Sequence, residues 1–205
     1  MRAVVLLLAA MLLAGCATSP LRQAAAPEGW ESRRLQLQGI SRFTLDGRIA
    51  AAVGQEGFNA SLNWTQRGGR SELALRAPLG FGSAEVTREG SDIRLRSSKG
   101  QNLSGTVASE ELARRLGFDP PLDSLRYWVL GVPDPSRPAI ETLGPSDARG
   151  QSLAALEQDG WRVEYAEYKA FGTAALDALL PRRLTLTRAG IRLRLVIDHW
   201  KVAAP

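Results

Sequence analysis

Cysteine and histidine are nearly missing from this 205-residue chain, which has one of each, Cys16 and His199. A single cysteine excludes an intrachain disulfide and a cysteine-cluster metal site. A single histidine excludes multi-histidine metal sites and removes the side chain most used for proton transfer near neutral pH. No apolar run reaches the ~20 residues that a membrane-spanning helix needs. An acidic excess is also lacking. The 26 Lys+Arg outnumber 21 Asp+Glu, and the resulting charge of +5 favours anionic partners or surfaces without naming one. What remains is 44% hydrophobic and 23% charged, with 20 Gly and 11 Pro, a composition that fits one globular domain.

The N-terminus has its own character. Arg2 precedes an unbroken apolar run over residues 3–13, which is too short to span a bilayer but right for the core of a signal peptide. It closes on Leu13-Ala14-Gly15-Cys16, which resembles the bacterial lipobox, where the cysteine thiol is diacylated and the chain is cut before it. Residues 1–15 are therefore expected to be a lipoprotein signal peptide. Residues 16–27, small and Pro-punctuated, are expected to form a lipidated N-terminus and tether, and 28–205 the folded domain. Several acyl chains on Cys16, at ~0.8 kcal/mol per buried CH₂, would hold the protein to a membrane. Ala17 stands where lipoproteins kept at the inner membrane carry Asp, so the resemblance implies the outer membrane.

The domain alternates. Leu45, Gly47, Ile49, Ala51 and Val53 share one face of a strand, and Ala60, Leu62 and Trp64 share another. Leu73 and Leu75, Ala84 and Val86, Ile93 and Leu95 repeat the pattern. Gly68-Gly69, Asp159-Gly160 and Ala189-Gly190 read as hairpin turns. A short helix is expected around Trp30, Leu37 and Ile40. A second should start at an Ser109 N-cap and stop at Gly117, and a third should start at Asp123 and carry Leu125, Trp128 and Val129. Strands are expected to resume near Leu153, while residues 169–180 read as a loop or partial helix of unassigned role.

About ten short strands with one apolar face, plus helices, make a mainly β (α+β) fold: a curved antiparallel, incomplete β-barrel covered by short helices. Most segments look shorter than the ~9–11 residues of a membrane-spanning strand. The polar faces carry Arg94, Arg96, Arg192 and Arg194, which a lipid-facing surface would not tolerate. The apolar residues should therefore point inward. Such a barrel is either filled by its side chains or encloses an apolar ligand, and both remain open at this level.

Catalytic readings are weak. Asp198 and His199 are strand neighbours, expected on opposite faces. Ser83 lacks a nucleophile elbow, and Gly80 with Gly82 lacks the spacing of a phosphate loop. Glu110 with Glu111, and Glu164 with Glu167, read as solvated edges rather than a glycosidase pair. No enzyme, metal, cofactor or nucleic-acid partner is expected.

A set of motifs runs in order through the chain: Trp30 and Leu37, then Phe43-Thr44-Leu45-Asp46-Gly47-Arg48, Trp64-Thr65-Gln66, Pro78-Leu79-Gly80, Leu125-Arg126-Tyr127-Trp128-Val129-Leu130-Gly131-Val132-Pro133, Gln158-Asp159-Gly160-Trp161 and Asp198-His199-Trp200. Together they resemble the LolB family of outer-membrane lipoprotein receptors. The resemblance implies an apolar cavity for lipoprotein acyl chains, a LolA-like periplasmic carrier as donor, and release into the inner leaflet of the outer membrane by a monomer. Its alternatives are a phospholipid- or lipopolysaccharide-binding lipoprotein and a structural lipoprotein with a filled barrel.

The residues expected to line the cavity are Ile49, Leu62, Trp64, Leu73, Leu75, Val86, Leu95, Leu193 and Leu195. Pro78-Leu79-Gly80-Phe81-Gly82 is a loop that carries two large apolar side chains, which either protrude as an interaction surface or fold back over the sheet. The resemblance assigns Leu79 to membrane insertion. Phe81 is added to it from the residues alone.

Overall fold

A computed structural model of the chain describes residues 29–80, 82–146, 150–173 and 176–203. The expected signal peptide, Cys16, the tether and Phe81 lie outside the described residues. Helix α1 (Trp30–Gln38) leads into strands β1 (Arg42–Val53), β2 (Glu56–Arg67), β3 (Arg70–Arg76), β4 (Ser83–Glu89), β5 (Asp92–Ser97) and β6 (Asn102–Ser104). Helices α2 (Gly105–Leu116) and α3 (Leu122–Trp128) follow. The chain then returns through β7 (Ile140–Leu143), β8 (Leu153–Gln158), β9 (Trp161–Thr173), β10 (Leu176–Arg188) and β11 (Ile191–Val202).

These strands form one antiparallel sheet in the order β6-β5-β4-β3-β2-β1-β11-β10-β9-β8-β7. The first and last strands pair along their length, from Phe43↔Val202 to Val53↔Ile191. Two meanders are thus joined at β1–β11, and the sheet is not closed. Its two edges, β6 and β7, are the shortest strands, which limits the unpaired backbone they expose. The chain crosses from one edge to the other through α2 and α3.

Alternation explains the inside. Leu62, Trp64, Leu73, Val86, Leu95, Leu193 and Leu195 are buried, while strand neighbours such as Ser61, Arg94, Arg192 and Arg194 are exposed. Each large apolar side chain removed from water contributes roughly 1.5–3 kcal/mol. At the Asp159-Gly160 turn both residues take positive φ, 52° and 74°, as a mirror-image two-residue hairpin requires.

Several expectations are corrected. Helix α2 starts at Gly105 after Ser104, because Ala108, Leu112 and Leu116 already recur at helical spacing. Ser109 therefore lies inside it and its hydroxyl donates to the Gly105 carbonyl. Strands β6 and β7 are too short to show an alternation that sequence reading can detect. Residues 169–180 are neither loop nor helix but belong to the β9–β10 hairpin, with Leu179↔Ala170 and Leu180↔Lys169 in register. Five strands have 12 or 13 residues, so strand length does not argue against a membrane barrel, whereas the arginines on the outer face still do. Finally, the β1–β11 register shifts between Asp46 and Gly47, leaving Asp198 as an extra residue. Ile197 and Trp200 are buried with two residues between them, so Asp198 and His199 are not separated by strict alternation.

Candidate functional site

The inner face of the sheet and the inner faces of the helices enclose one apolar cavity. Its sheet wall is built by Ile49 of β1, Leu62 and Trp64 of β2, Leu73 and Leu75 of β3, Val86 of β4, and Leu193 and Leu195 of β11. Eight of the nine residues expected there come together, because consecutive antiparallel strands put same-parity positions side by side. The register places Leu62 beside Leu75, Trp64 beside Leu73, and Leu73 beside Val86. Leu95 does not line this cavity. It is fully buried under α2, pairs with Leu103 of the edge strand, and lines a groove outside the cavity instead.

The opposite wall was not anticipated. It consists of Leu112 and Leu116 of α2, Phe118, Pro120 and Pro121 of the connection, and Leu122 and Leu125 of α3. Phe58 of β2 and Leu186 of β10, both from the sheet, complete the lining of the cavity. The signal for α2 was present, since Leu112 and Leu116 stand one helical turn apart. What sequence could not show is which apolar stripe faces an opening rather than packed side chains.

Every lining residue is apolar. The one polar atom at hand, the Trp64 indole N–H, is turned into the buried amide of Gln66 at 3.2 Å. No lining residue titrates or can act as a nucleophile, and the surface has the non-directional character suited to hydrocarbon. The free space is about 70 Å³. Small-molecule pockets usually offer ~300–1,000 Å³, so the space as it stands is too small for an acyl chain.

Helix α3 is held near both of its ends. The C-terminal end of α3 is fixed by buried bonds: Trp128 Nε1 donates to Gln158 Oε1 at 2.8 Å, and the Tyr165 hydroxyl donates to the Trp128 carbonyl at 3.0 Å. Gln158 also ties down the following loop, accepting from the Asp134 N–H and donating to the Asp134 and Arg137 carbonyls, each at 3.0 Å. Ser124 donates to Asp134 at 2.9 Å. Burial would raise the Asp134 carboxyl, but hydrogen bonds from Ser136 and Ser124 and the nearby Arg137 charge hold it below the usual carboxylate range. The Ser124 bond sits in the first turn of α3, where Asp123 adds an ion pair to Arg88 of β4 at 2.5 Å, its side chain 59% exposed. Exposed pairs of this kind are worth ~1 kcal/mol or less.

Leu79 lies on the β3–β4 connection, four residues after the cavity-lining Leu75. It sits in a short 3₁₀ turn (Pro78–Gly80) at φ 55°, ψ 22°, and is 92% exposed. Of the two alternatives for this side chain, the structure places it outward. The residues weighed for catalysis are dispersed over the outside. Asp198 accepts from Arg48 at 3.0 and 3.2 Å, Glu164 pairs with Arg162, Glu167 with Arg182, and Glu111 with Arg114 and Arg115. Ser83 and His199 are exposed.

Residues 41–200 match the family model described as outer membrane lipoprotein LolB. The Outer-membrane lipoprotein LolB of Nitrosococcus oceani is 38% identical over 202 residues, covering 97% of this chain and 96% of that protein. The protein of the same name from Thiobacillus denitrificans is 34% identical, covering 95% of this chain and 94% of its own. Among solved structures, a LolA-superfamily protein from Nitrosomonas europaea shares the fold at a TM-score of 0.52 and 11% identity, covering 85% of this chain and 94% of its own. The motifs from Phe43 to Trp200 and the helix-covered open barrel that they build place this chain in the LolB family of outer-membrane lipoproteins.

Proposed function

We propose that this protein receives acylated lipoproteins at the outer membrane from a soluble LolA-like carrier, shelters their acyl chains in the apolar cavity, and releases them into the inner leaflet. The apolar cavity between sheet and helices carries this reading. A sixteen-carbon acyl chain exposed to water costs roughly 12 kcal/mol at ~0.8 kcal/mol per CH₂, so transfer between aqueous and membrane states needs a surface that never leaves the chain wet. A wall without polar groups supplies that, and the role it supports is binding and release.

Loading requires widening of the cavity. The α2–α3 connection at Pro120-Pro121 is the part that yields in this reading, because α3 itself is tied near both ends by buried hydrogen bonds, at Ser124 and at Trp128. Cys16, once lipidated, would keep the domain at the membrane. Leu79 would then enter the bilayer ahead of the cargo.

The deciding experiment is transfer of a radiolabelled lipoprotein from purified LolA to this protein, followed by incorporation into liposomes. Acceptance of the acylated form and not of an unacylated one is the expected result. Equal binding of both, or failure to take the acylated form, would overturn the reading in favour of a filled structural barrel.

A further inference from the structure

A second depression lies outside the cavity, between α2, the β5–β6 turn and the base of the Leu79 loop. It is an open depression of about 500 Å³, within the ~300–1,000 Å³ range of ligand sites. Its floor is apolar and includes Phe58, Leu75, Leu95, Leu112 and Leu116, and its rim is cationic, with Lys99, Arg114 and Arg115. No carboxylate lines it. Behind the rim one acid, Glu111, is shared between Arg114 and Arg115 at 2.8 and 2.7 Å, while Lys99 pairs with no carboxylate among the described residues. Positive charge therefore remains uncompensated at the lip.

Ala77 and Gly82, the two ends of the loop that carries Leu79, also line this trough. Any bilayer entered by Leu79 thus meets the trough. An apolar floor under a cationic lip matches a molecule with one anionic head and hydrocarbon tails. Its place at the base of the Leu79 loop, facing any bilayer that the loop enters, favours a lipid over a protein partner.

We propose that this trough binds an anionic phospholipid of the receiving leaflet, with its phosphate at Lys99, Arg114 and Arg115 and an acyl tail on the floor. The proposal rests on the release function above and adds what triggers it. Phe58, Leu75, Leu112 and Leu116 line both trough and cavity, so they form a shared partition. A tail seated on one side moves the side chains that close the other. Cargo is therefore held in water and let go where anionic lipid is present.

The test uses the full lipidated chain reconstituted into phosphatidylcholine vesicles with or without phosphatidylglycerol, each lipid in turn carrying a photoactivatable acyl chain. Anchoring by Cys16 is then equal in both, and adducts are mapped by mass spectrometry. We expect adducts on Phe58, Leu75, Leu112 or Leu116 with phosphatidylglycerol, falling about fivefold for each cation removed in Lys99→Gln and Arg114→Gln. Lys99→Arg should retain them, and cargo release should quicken with phosphatidylglycerol in the wild type and Lys99→Arg but not in Lys99→Gln or Arg114→Gln. Labelling that ignores head group or the two substitutions, or that misses the trough, overturns the proposal, as does carrier protein crosslinking there in place of lipid. Acceptance from LolA is scored on the same samples: acceptance without trough labelling rejects the lipid site alone, and trough labelling without acceptance rejects the receptor function alone.

Discussion

The backbone N–H of Ala77 donates a 2.9 Å hydrogen bond to the carbonyl of Gly82, closing the β3–β4 connection at its base. Leu79 stands at the apex with a left-handed backbone that costs a leucine about 1–2 kcal/mol. A large apolar side chain is thus held in water on a strained residue, two features that stability alone does not favour. Both are accounted for if Leu79 has a membrane to enter.

Leu79→Glu should fold, accept lipoprotein and fail to deliver it, because the bilayer loses a leucine worth roughly 1.5–3 kcal/mol and meets a charge. Leu79→Gly is the sharper control. It relieves the left-handed strain but loosens the unfolded chain, so stability should stay within about 1 kcal/mol of wild type while delivery fails. A two-stage transfer assay beside thermal melting reads both. Normal liposome incorporation by either variant would show that the loop does not insert.

Leu193, buried on the cavity wall, separates volume from polarity. Leu193→Ala should cost about 2–4 kcal/mol and still accept acylated cargo, since the wall stays apolar. Leu193→Glu should lose acceptance, because an unpaired carboxylate would face hydrocarbon. Equilibrium denaturation and LolA-to-protein transfer check the pair, and equal acceptance by both variants would place the acyl chains elsewhere.

Asp134 predicts a pH dependence. Its carboxyl is held below the ordinary range, so its contribution is complete above the unfolded value of about 3.9 and is lost as pH falls through the folded one. Asp134→Asn should be less stable at pH 7 by about 1–3 kcal/mol, with the gap to wild type closing below about pH 4. Denaturant titrations at pH 7 and pH 3 measure it. A gap that does not change with pH would mean that the charge is not what stabilises the α3 loop.

Gly47 tests the bulge where β1 meets β11. A Cβ there would stand 2.3 Å from the Val196 carbonyl oxygen, a backbone atom that cannot swing aside. Gly47→Ala should destabilise by about 1–3 kcal/mol, whereas Gly69→Ala, with open space around it, should be nearly neutral. Matching melting temperatures for the two variants would show that the strands do not approach so closely.

Much of this protein was legible in its residues. Alternation set which side chains of β1 to β5 and β11 face inward, since a one-residue slip would expose the whole set. The ordered motifs pointed to the family, and arginines at Arg94, Arg96, Arg192 and Arg194 excluded lipid from the outer face. Tertiary structure decided the rest. Period two assigns a face but not how far the sheet curls or where a helix covers it, so Leu95 sits under α2 while Leu73 and Leu193 line free space. The helical wall, the shared partition at Phe58, Leu75, Leu112 and Leu116, and the bulge at Asp198 all arise from contacts between segments far apart in the chain. Local pattern carries no record of such contacts, because each is settled by which surfaces meet after the sheet has curved.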